Sequence, residues 1–391
     1  MMSSALDGMV VLDLTSYLAG PYGCALLGDQ GADVIKVESP DGDMMRRYPS
    51  TLKGENRAVL GANRNKRSIR LDLKSEQGRE AFLRMVAAAD VVVHNFRPGV
   101  AESLGIGYEA LRAVREDLVY CSLTGYGNGD GPMRRHPGYD QMLQCFTGMA
   151  MAQGLSVGSP QILRGSIVDF YASALLAQGV IAALLHRYRT GAGQHVEISL
   201  LRSAIALQVG RFVWADSEPR DVQREPDSSQ ASGAVETKEG YLYFQAGTAK
   251  FWTAFCEAIG LPELADDPRY DTLVKRAQHG ATLMPQIKQA LLARTAVEWE
   301  QEMVGRVPVV ALRDIGEMFE HPQVLAEGLV TEHDHPEVGR YRTMTTAVKM
   351  GAGDPVTTRA PLAGEHTDEI LGRFDFSAAE VEQLRRARAA S

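Results

Sequence analysis

Two aspartates and two cationic segments carry most of the side chains in this chain that could perform chemistry. Asp169 stands at the head of an apolar helical stretch, in Gly165-Ser166-Ile167-Val168-Asp169-Phe170. An aspartate at such a boundary is most often a helix N-cap. A carboxylate held in apolar company is also positioned and partly desolvated, as a nucleophile or base must be. Asp140 opens another helical stretch in His136-Pro137-Gly138-Tyr139-Asp140-Gln141, where capping alone would account for it. Asp90 to Gly99 reads as a buried strand that ends in Asn95-Phe96-Arg97-Pro98-Gly99. Asn95 supplies amide donors and an acceptor, Phe96 a stacking face, and Arg97 a guanidinium that can grip a phosphate with two bonds. A turn followed by a surface arginine is the plainer reading of the same residues. Asn63 to Lys74 gathers five cations: Arg64, Lys66, Arg67, Arg70 and Lys74. That run suits either a small polyanion, such as a phosphate-rich cofactor, or a solvated edge strand.

Composition removes several alternatives. A formal net charge of -8 argues against nucleic acid as the main ligand and against a membrane surface, since both need broad cationic surface. Cys24, Cys121, Cys145 and Cys256 are far apart in apolar surroundings, without the paired spacing of metal or redox sites. Buried, reduced thiols in a cytosolic protein are expected. His333-Asp334-His335 has no evident third ligand and reads as a polar loop, so no metal is predicted. No catalytic triad is visible. Tyr17 to Gly23 follows the first strand but lacks the glycine spacing of a dinucleotide fingerprint, which disfavours a nicotinamide dehydrogenase. With the first strand expected by about Val10, no charged-then-apolar leader is expected, and Phe170 to Leu185 reads as a core helix too short to span a bilayer.

These side chains need elements to hold them. Strand patterns at Met9 to Leu14, Val34 to Val37, Ser68 to Leu73, Val91 to Val93 and Leu118 to Leu123 alternate with helical patterns at Tyr22 to Asp29 and Gln77 to Ala88. Such alternation indicates a parallel, helix-covered sheet, whose ligands bind beyond the carboxyl ends of the strands. A long helix near Phe170 to Tyr188, a strand at Gln194 to Ser199 and a helix over Ser203 to Val209 follow. Asp216 to Gly233 is rich in polar and turn residues and marks a crossing. Beyond it, a strand at Gly240 to Ala246 and helices at Phe251 to Ile259, Met284 to Leu292 and Ala296 to Val304 make a smaller α+β unit. Strand patterns return at Leu329 to Thr331 and Arg340 to Met350, followed by helices at Asp368 to Phe374 and Ala378 to Ala389.

Taken in order, these segments resemble the class III CoA-transferases, a family that includes formyl-CoA and carnitine CoA-transferases and the related α-methylacyl-CoA racemases. The resemblance spans nearly the whole chain. It rests on Leu6-Asp7-Gly8, Val11-Leu12-Asp13-Leu14, Gly31-Ala32-Asp33-Val34-Ile35-Lys36-Val37-Glu38, Asn65-Lys66-Arg67-Ser68-Ile69, Leu71-Asp72-Leu73-Lys74 and Asn95-Phe96-Arg97-Pro98-Gly99. Gly125-Tyr126-Gly127, Gly138-Tyr139-Asp140, Val168-Asp169 and Arg359 to Glu369 extend it. The resemblance implies an α/β fold with a Rossmann-like large domain built from both chain ends: residues 1–215, then a linker at 216–233, a small α+β domain at 234–328, and a return at 329–391. It also implies an interlocked homodimer. CoA would lie against Leu18, Ala19, Leu71, Asp72, Leu73, Lys74, Asn95, Phe96, Arg97, Pro137, Gly138, Tyr139 and Asp140. Within the basic run, Lys74 is the expected ligand, with Arg64 and Arg70 in solvent.

By the same resemblance, Asp169 is the nucleophile, passing through an aspartyl anhydride and an aspartyl-CoA thioester, with Asp140 in support. The substrates are an acyl-CoA and a carboxylic acid in the cytoplasm, with no tightly bound cofactor. Racemase relatives carry a histidine where this chain has Tyr139, and a phenol with a pKa near ~10 is a poor proton shuttle at neutral pH. That favours transfer over the alternative of a racemase or epimerase. A non-catalytic CoA-binding subunit, with Asp169 only a helix cap, is the other alternative. Asp216 to Gly233 lacks the long glycine-rich loop of the formyl-CoA type, and Ser39 and Ser103 stand where basic CoA contacts can occur.

Overall fold

The computed structural model describes residues 4–154, 158–218, 232–351 and 357–391. Most of the segment that the sequence suggests as a linker, residues 219–231, lies outside them. The described chain forms two compact units, one of Met1–Leu155, Ser159–Val213 and Gln323–Ser391, the other centred on Trp214–Pro322.

The large unit is built on six strands, β1 (Val10–Asp13), β2 (Asp33–Glu38), β3 (Lys66–Arg70), β4 (Val91–His94), β5 (Val119–Thr124) and β6 (Gln194–Ser199). All pairings are parallel, in the order β3-β2-β1-β4-β5-β6. Strands such as Val-Val-Leu-Asp and Val-Val-Val-His are buried along their whole length, because helices cover both faces of a parallel sheet. One face packs on Phe82, Met85 and Val86 of the helix Glu76–Ala88, and on Ile370, Leu371 and Leu384 from the chain's last helices. The two chain ends also meet through the backbone, where Asp72 N–H donates to Ala389 O at 2.9 Å. The other face packs on α1 (Ala19–Gly28) and on a 24-residue helix, Ile167–Thr190, whose Val168, Ala172, Leu176 and Val180 are buried. This helix exceeds the Phe170 to Leu185 expectation and is long enough to cross a bilayer, yet its inward face belongs to the core. Strand order reverses between β1 and β4, and ligands of such sheets sit in the crevice above that reversal.

Three cations of the basic run, Arg64, Lys66 and Arg67, are taken up by ion pairs within the fold. Arg64, expected in solvent, is fully buried and pairs with Asp29 at 2.6 Å. Lys66 is fully enclosed and donates to Asp13 at 2.8 Å, Pro21 O at 2.7 Å and Asn63 Oδ1 at 2.9 Å. Arg67 pairs with Asp33 and Glu369. These cations are consumed by acids on β1, β2 and the helix ends, because a charge desolvated by a sheet must be paired in place. Lys36 continues the layer, 2.9 Å from Asp43 and 2.9 Å from Thr15 O. Burial raises the Asp13 carboxyl, but Lys66 and Lys36 outweigh it and hold the group down at about 2.

The smaller unit has an antiparallel sheet of β7 (Ser232–Glu236), β8 (Tyr241–Gln245) and β9 (Val309–Ala311). Phe244 and Phe255 stack at 4.5 Å in its core beside Trp252 and Trp299. In the large unit, His333 and His335 are not in a loop: they lie on strand Val330–His335, paired antiparallel with Gly339–Met344, and His335 is buried. Cys145 is exposed, against expectation, while the other three thiols are buried.

Lys66→Ala should therefore cost about 3–5 kcal/mol, since it strands Asp13 inside the sheet. Arg67→Ala, at a partly exposed pair, should cost about 1 kcal/mol or less. Urea unfolding of the two variants measures the contrast, and equal losses would contradict the paired-layer account. The Asp13 contribution is fully present above the ordinary carboxyl value of 3.8 and is lost as pH falls toward about 2.

Candidate active site

Above the carboxyl ends of β1, β4 and β5 lies a cavity of about 260 Å³. Its wall is formed by the turn Tyr17, Leu18 and Ala19, by Asn95 to Pro98 after β4, and by Thr124 and Gly125 after β5. Arg134, His136, Pro137, Gly138, Tyr139, Asp169 and Leu200 complete it. A neighbouring cavity of about 510 Å³ is lined by Ser39 to Met44, Leu71, Asp72, Leu73, Lys74, Val100 and Leu104. Phe96 lines both. The segments expected to hold CoA thus fall on two adjoining cavities, and Asp169 opens into the first. Asp140 is the exception, because it is buried and lines neither.

The long helix, now α3 with α2 (Asp140–Phe146) packed beside it, starts in an unusual way. Gly165 and Ser166 both have positive φ, +107° and +56°, and Ser166 provides no side-chain cap. Asp169 is the third helical residue and does not act as the N-cap. The cap comes from Asp140, whose Oδ2 accepts the Val168 N–H at 2.6 Å and the Asp169 N–H at 3.1 Å. Asp140 therefore does cap a helix, but α3 rather than its own. Burial, with the Asp140 charge adding to it, pushes the Asp169 carboxyl up from 3.8 to about 7. Ser173 Oγ lies 2.7 Å from Ala19 O and 2.9 Å from Asp169 O, tying α3 to the turn after β1.

Asn95 is committed to the scaffold. Its Oδ1 accepts Ser16 N–H at 3.0 Å and its Nδ2 donates to Ser16 O at 2.7 Å, a two-way clamp across the point where strand order reverses. Phe96 and Arg97 are left to face the cavities, and Arg97 makes no ion pair among the described residues. Gly125 and Gly138 pack backbone on backbone: a Cβ on Gly138 would stand 2.6 Å from Gly125 Cα. Those glycines thus serve the approach of one loop to another. Lys74 is exposed on the rim of the second cavity.

Sequence reasoning passes over Tyr17, Arg134, His136 and Thr124. Tyr17 has a left-handed backbone, φ +69°, and donates its N–H to Asp43 at 3.1 Å, so the buried charge layer sets this turn. Its ring meets Tyr139 edge-on at 6.0 Å. The available signal for Arg134 is a basic doublet between two glycine and proline clusters. Its paired acid, Asp130, is 3.5 Å away. Ser122 and His195, 2.8 Å apart, share a third cavity of about 220 Å³ and link β5 to β6.

A doubly wound parallel sheet, with a half-buried carboxyl opening into a cavity at the strand reversal, is the arrangement of an α/β enzyme. The chain belongs to CoA-transferase family III, whose profile matches residues 6–367. It is 34% identical to the probable fatty acyl-CoA transferase Rv3272 of Mycobacterium tuberculosis, covering 94% of this chain and 98% of that one. It is 35% identical to the succinyl-CoA:glutarate CoA-transferase of Mus musculus, covering 96% and 88%. Among solved structures, a CAIB/BAIF family protein from Brucella suis superposes with a TM-score of 0.84 at 30% identity, covering 96% and 100%. A crystal structure of Rv3272 gives 0.82 at 33% identity, covering 94% and 99%. Membership of this family supports CoA transfer as the activity.

Because the folded chain holds the Asp169 proton more tightly than the unfolded chain, ionising this group works against the fold. The cost is absent below 3.8, grows between 3.8 and about 7, and is complete above. Asp169→Asn should therefore raise the melting temperature at pH 8 and have much less effect near pH 4. Equal shifts at both pH values would contradict a raised carboxyl.

Proposed function

We propose that this enzyme moves CoA from an acyl-CoA to a free carboxylic acid with Asp169 as the nucleophile. The observation that carries the reading is a half-buried carboxyl near neutral pKa, opening into the cavity that the CoA-binding segments also line. At about 7, a large fraction is ionised at neutral pH, and the anion is more basic than a solvated aspartate. Asp169 attacks the thioester carbonyl, the C–S bond breaks, and CoA leaves as thiolate, giving a mixed anhydride. The thiolate then attacks the Asp169 carboxyl carbon, releasing the first acid and leaving an aspartyl-CoA thioester. The incoming carboxylate reverses both steps. Each displacement exchanges one anion for another, so no water, metal or redox partner enters the balance.

Phe96 and Arg97 would carry the substrate between the two cavities, with Lys74 at the outer end. The pKa of Asp169 also speaks against a purely capping role. Tyr139, in place of histidine, leaves the racemase reading without its second acid/base partner. We further propose a homodimer, supported by exposed apolar residues on one unit: Leu185, Tyr188, Val209 and Phe212 are 57%, 89%, 71% and 70% exposed. Four unpaired thiols support a cytoplasmic setting. The relatives' names point to short dicarboxylic acids as the first acceptors to test.

Asp169→Ala should lower transfer by at least about 10³-fold, and hydroxylamine added with acyl-CoA should leave a hydroxamate on Asp169 in the wild type. Transfer surviving in Asp169→Ala would remove the assignment. Lys74→Ala should raise the KM for acyl-CoA about tenfold at little change in kcat. Light scattering in line with gel filtration should give twice the monomer mass, and a monomer would end the dimer proposal.

A further inference from the structure

Gln144 lies more than one helical turn beyond Tyr139, the residue of its segment that lines the substrate cavity, yet it is completely buried and uses its whole amide. Its Oε1 accepts the Leu163 N–H at 2.9 Å, and its Nε2 donates both to Leu163 O at 3.0 Å and to Asp140 Oδ1 at 2.5 Å. Only one orientation of the amide satisfies these three contacts, because the carboxylate and the carbonyl both require donors. Asp140 is then held at both oxygens, by Gln144 on one and by the N–H groups of Val168 and Asp169 on the other. Leu163 begins the segment that turns through the left-handed Gly165 and Ser166 into α3. One glutamine therefore grips the loop that enters the helix and the carboxylate that caps it.

We infer that Gln144 is the positioning residue for the nucleophile, locking the Leu163 to Ser166 turn and holding the Asp140 carboxylate in place as the cap under Asp169. The inference rests on Asp169 being that nucleophile. Burial, with the Asp140 charge adding to it, keeps the Asp169 anion basic, while the fixed turn holds it toward the thioester. The other titratable and charged groups facing Asp169 are Tyr17, Tyr139, Arg97, Arg134 and His136, across the cavity. The side-chain hydrogen bonds of Gln144 go to Asp140 and Leu163 and to none of these, so its effect passes through Asp140 and the turn.

The test is the pH profile of transfer in the full-length wild type, Gln144→Ala and Gln144→Glu. Gln144→Ala removes the donor at Asp140 Oδ1 and frees Leu163, so the setting of Asp169 changes. The acid limb should move from its wild-type position while the plateau kcat falls about 10- to 100-fold, with the KM for acyl-CoA within about twofold. In Gln144→Glu, a protonated carboxyl can donate to Asp140 as the amide does. That variant should keep the wild-type acid limb and lose activity above it as the introduced carboxyl ionises, adding an alkaline limb that the wild type lacks. If Gln144→Ala does not fold, Gln144→Glu alone decides, since its soluble form can be compared with itself across pH. An unmoved acid limb in Gln144→Ala, or an unchanged alkaline side in Gln144→Glu, would overturn the inference. A wild type without transfer activity would instead strike the proposed function itself.

Discussion

Below the carboxyl ends of β1, β2 and β3, Asp13, Lys66, Lys36 and Asp43 form a layer of charge from which water is excluded. Each member is taken out of solvent, and a buried charge is tolerated only beside a partner of opposite sign. The geometry above follows from this. Asp43 receives the Tyr17 N–H, Lys36 holds Thr15 O, and Lys66 holds Pro21 O, so the turn that lines the first cavity is bonded to the layer on three sides. Asn95 carries the same order across the strand reversal to β4 by clamping Ser16. The layer adds little net stability over an apolar filling, but it dictates where the loops lie.

On the other side of the cavity a second device works on similar terms. The start of α3 has free N–H groups, and the neighbouring Ser166 does not satisfy them. Asp140 reaches from α2 to do so, and its charge then acts on Asp169. One carboxylate thus fixes a second in space and raises its proton affinity. A helix terminus alone would lower the pKa of an acid in its first turn. Here burial and the neighbouring anion prevail, which suits the role proposed for Asp169.

Much of this arrangement is legible in the residues. The six strands and the long helix follow from apolar runs and their periods, and Asp169, Asn95 to Arg97 and Leu71 to Lys74 stand out as strand-end or helix-start motifs. The basic run misleads because sequence shows where cations cluster but not which acids lie opposite: the partners Asp13, Asp29 and Asp33 are 53, 35 and 34 residues away. Tyr17 escapes notice because nothing local signals a left-handed tyrosine. His333 and His335 read as loop residues because a polar, charged hairpin has no apolar alternation to reveal its strands.

Composition and pattern by themselves determined the class of fold, the order of its elements, and the short list of residues able to bind an anion or attack a carbonyl. These are properties of local sequence, set by side-chain period, turn chemistry and functional-group type. Tertiary structure alone decided which of those residues act together. Asp140 and Asp169 are 29 positions apart, and only packing brings one carboxylate onto the helix start of the other. The protonation of Asp169, and hence its chemistry, depends on burial and on the charge facing it, neither of which exists until the sheet has closed beneath it.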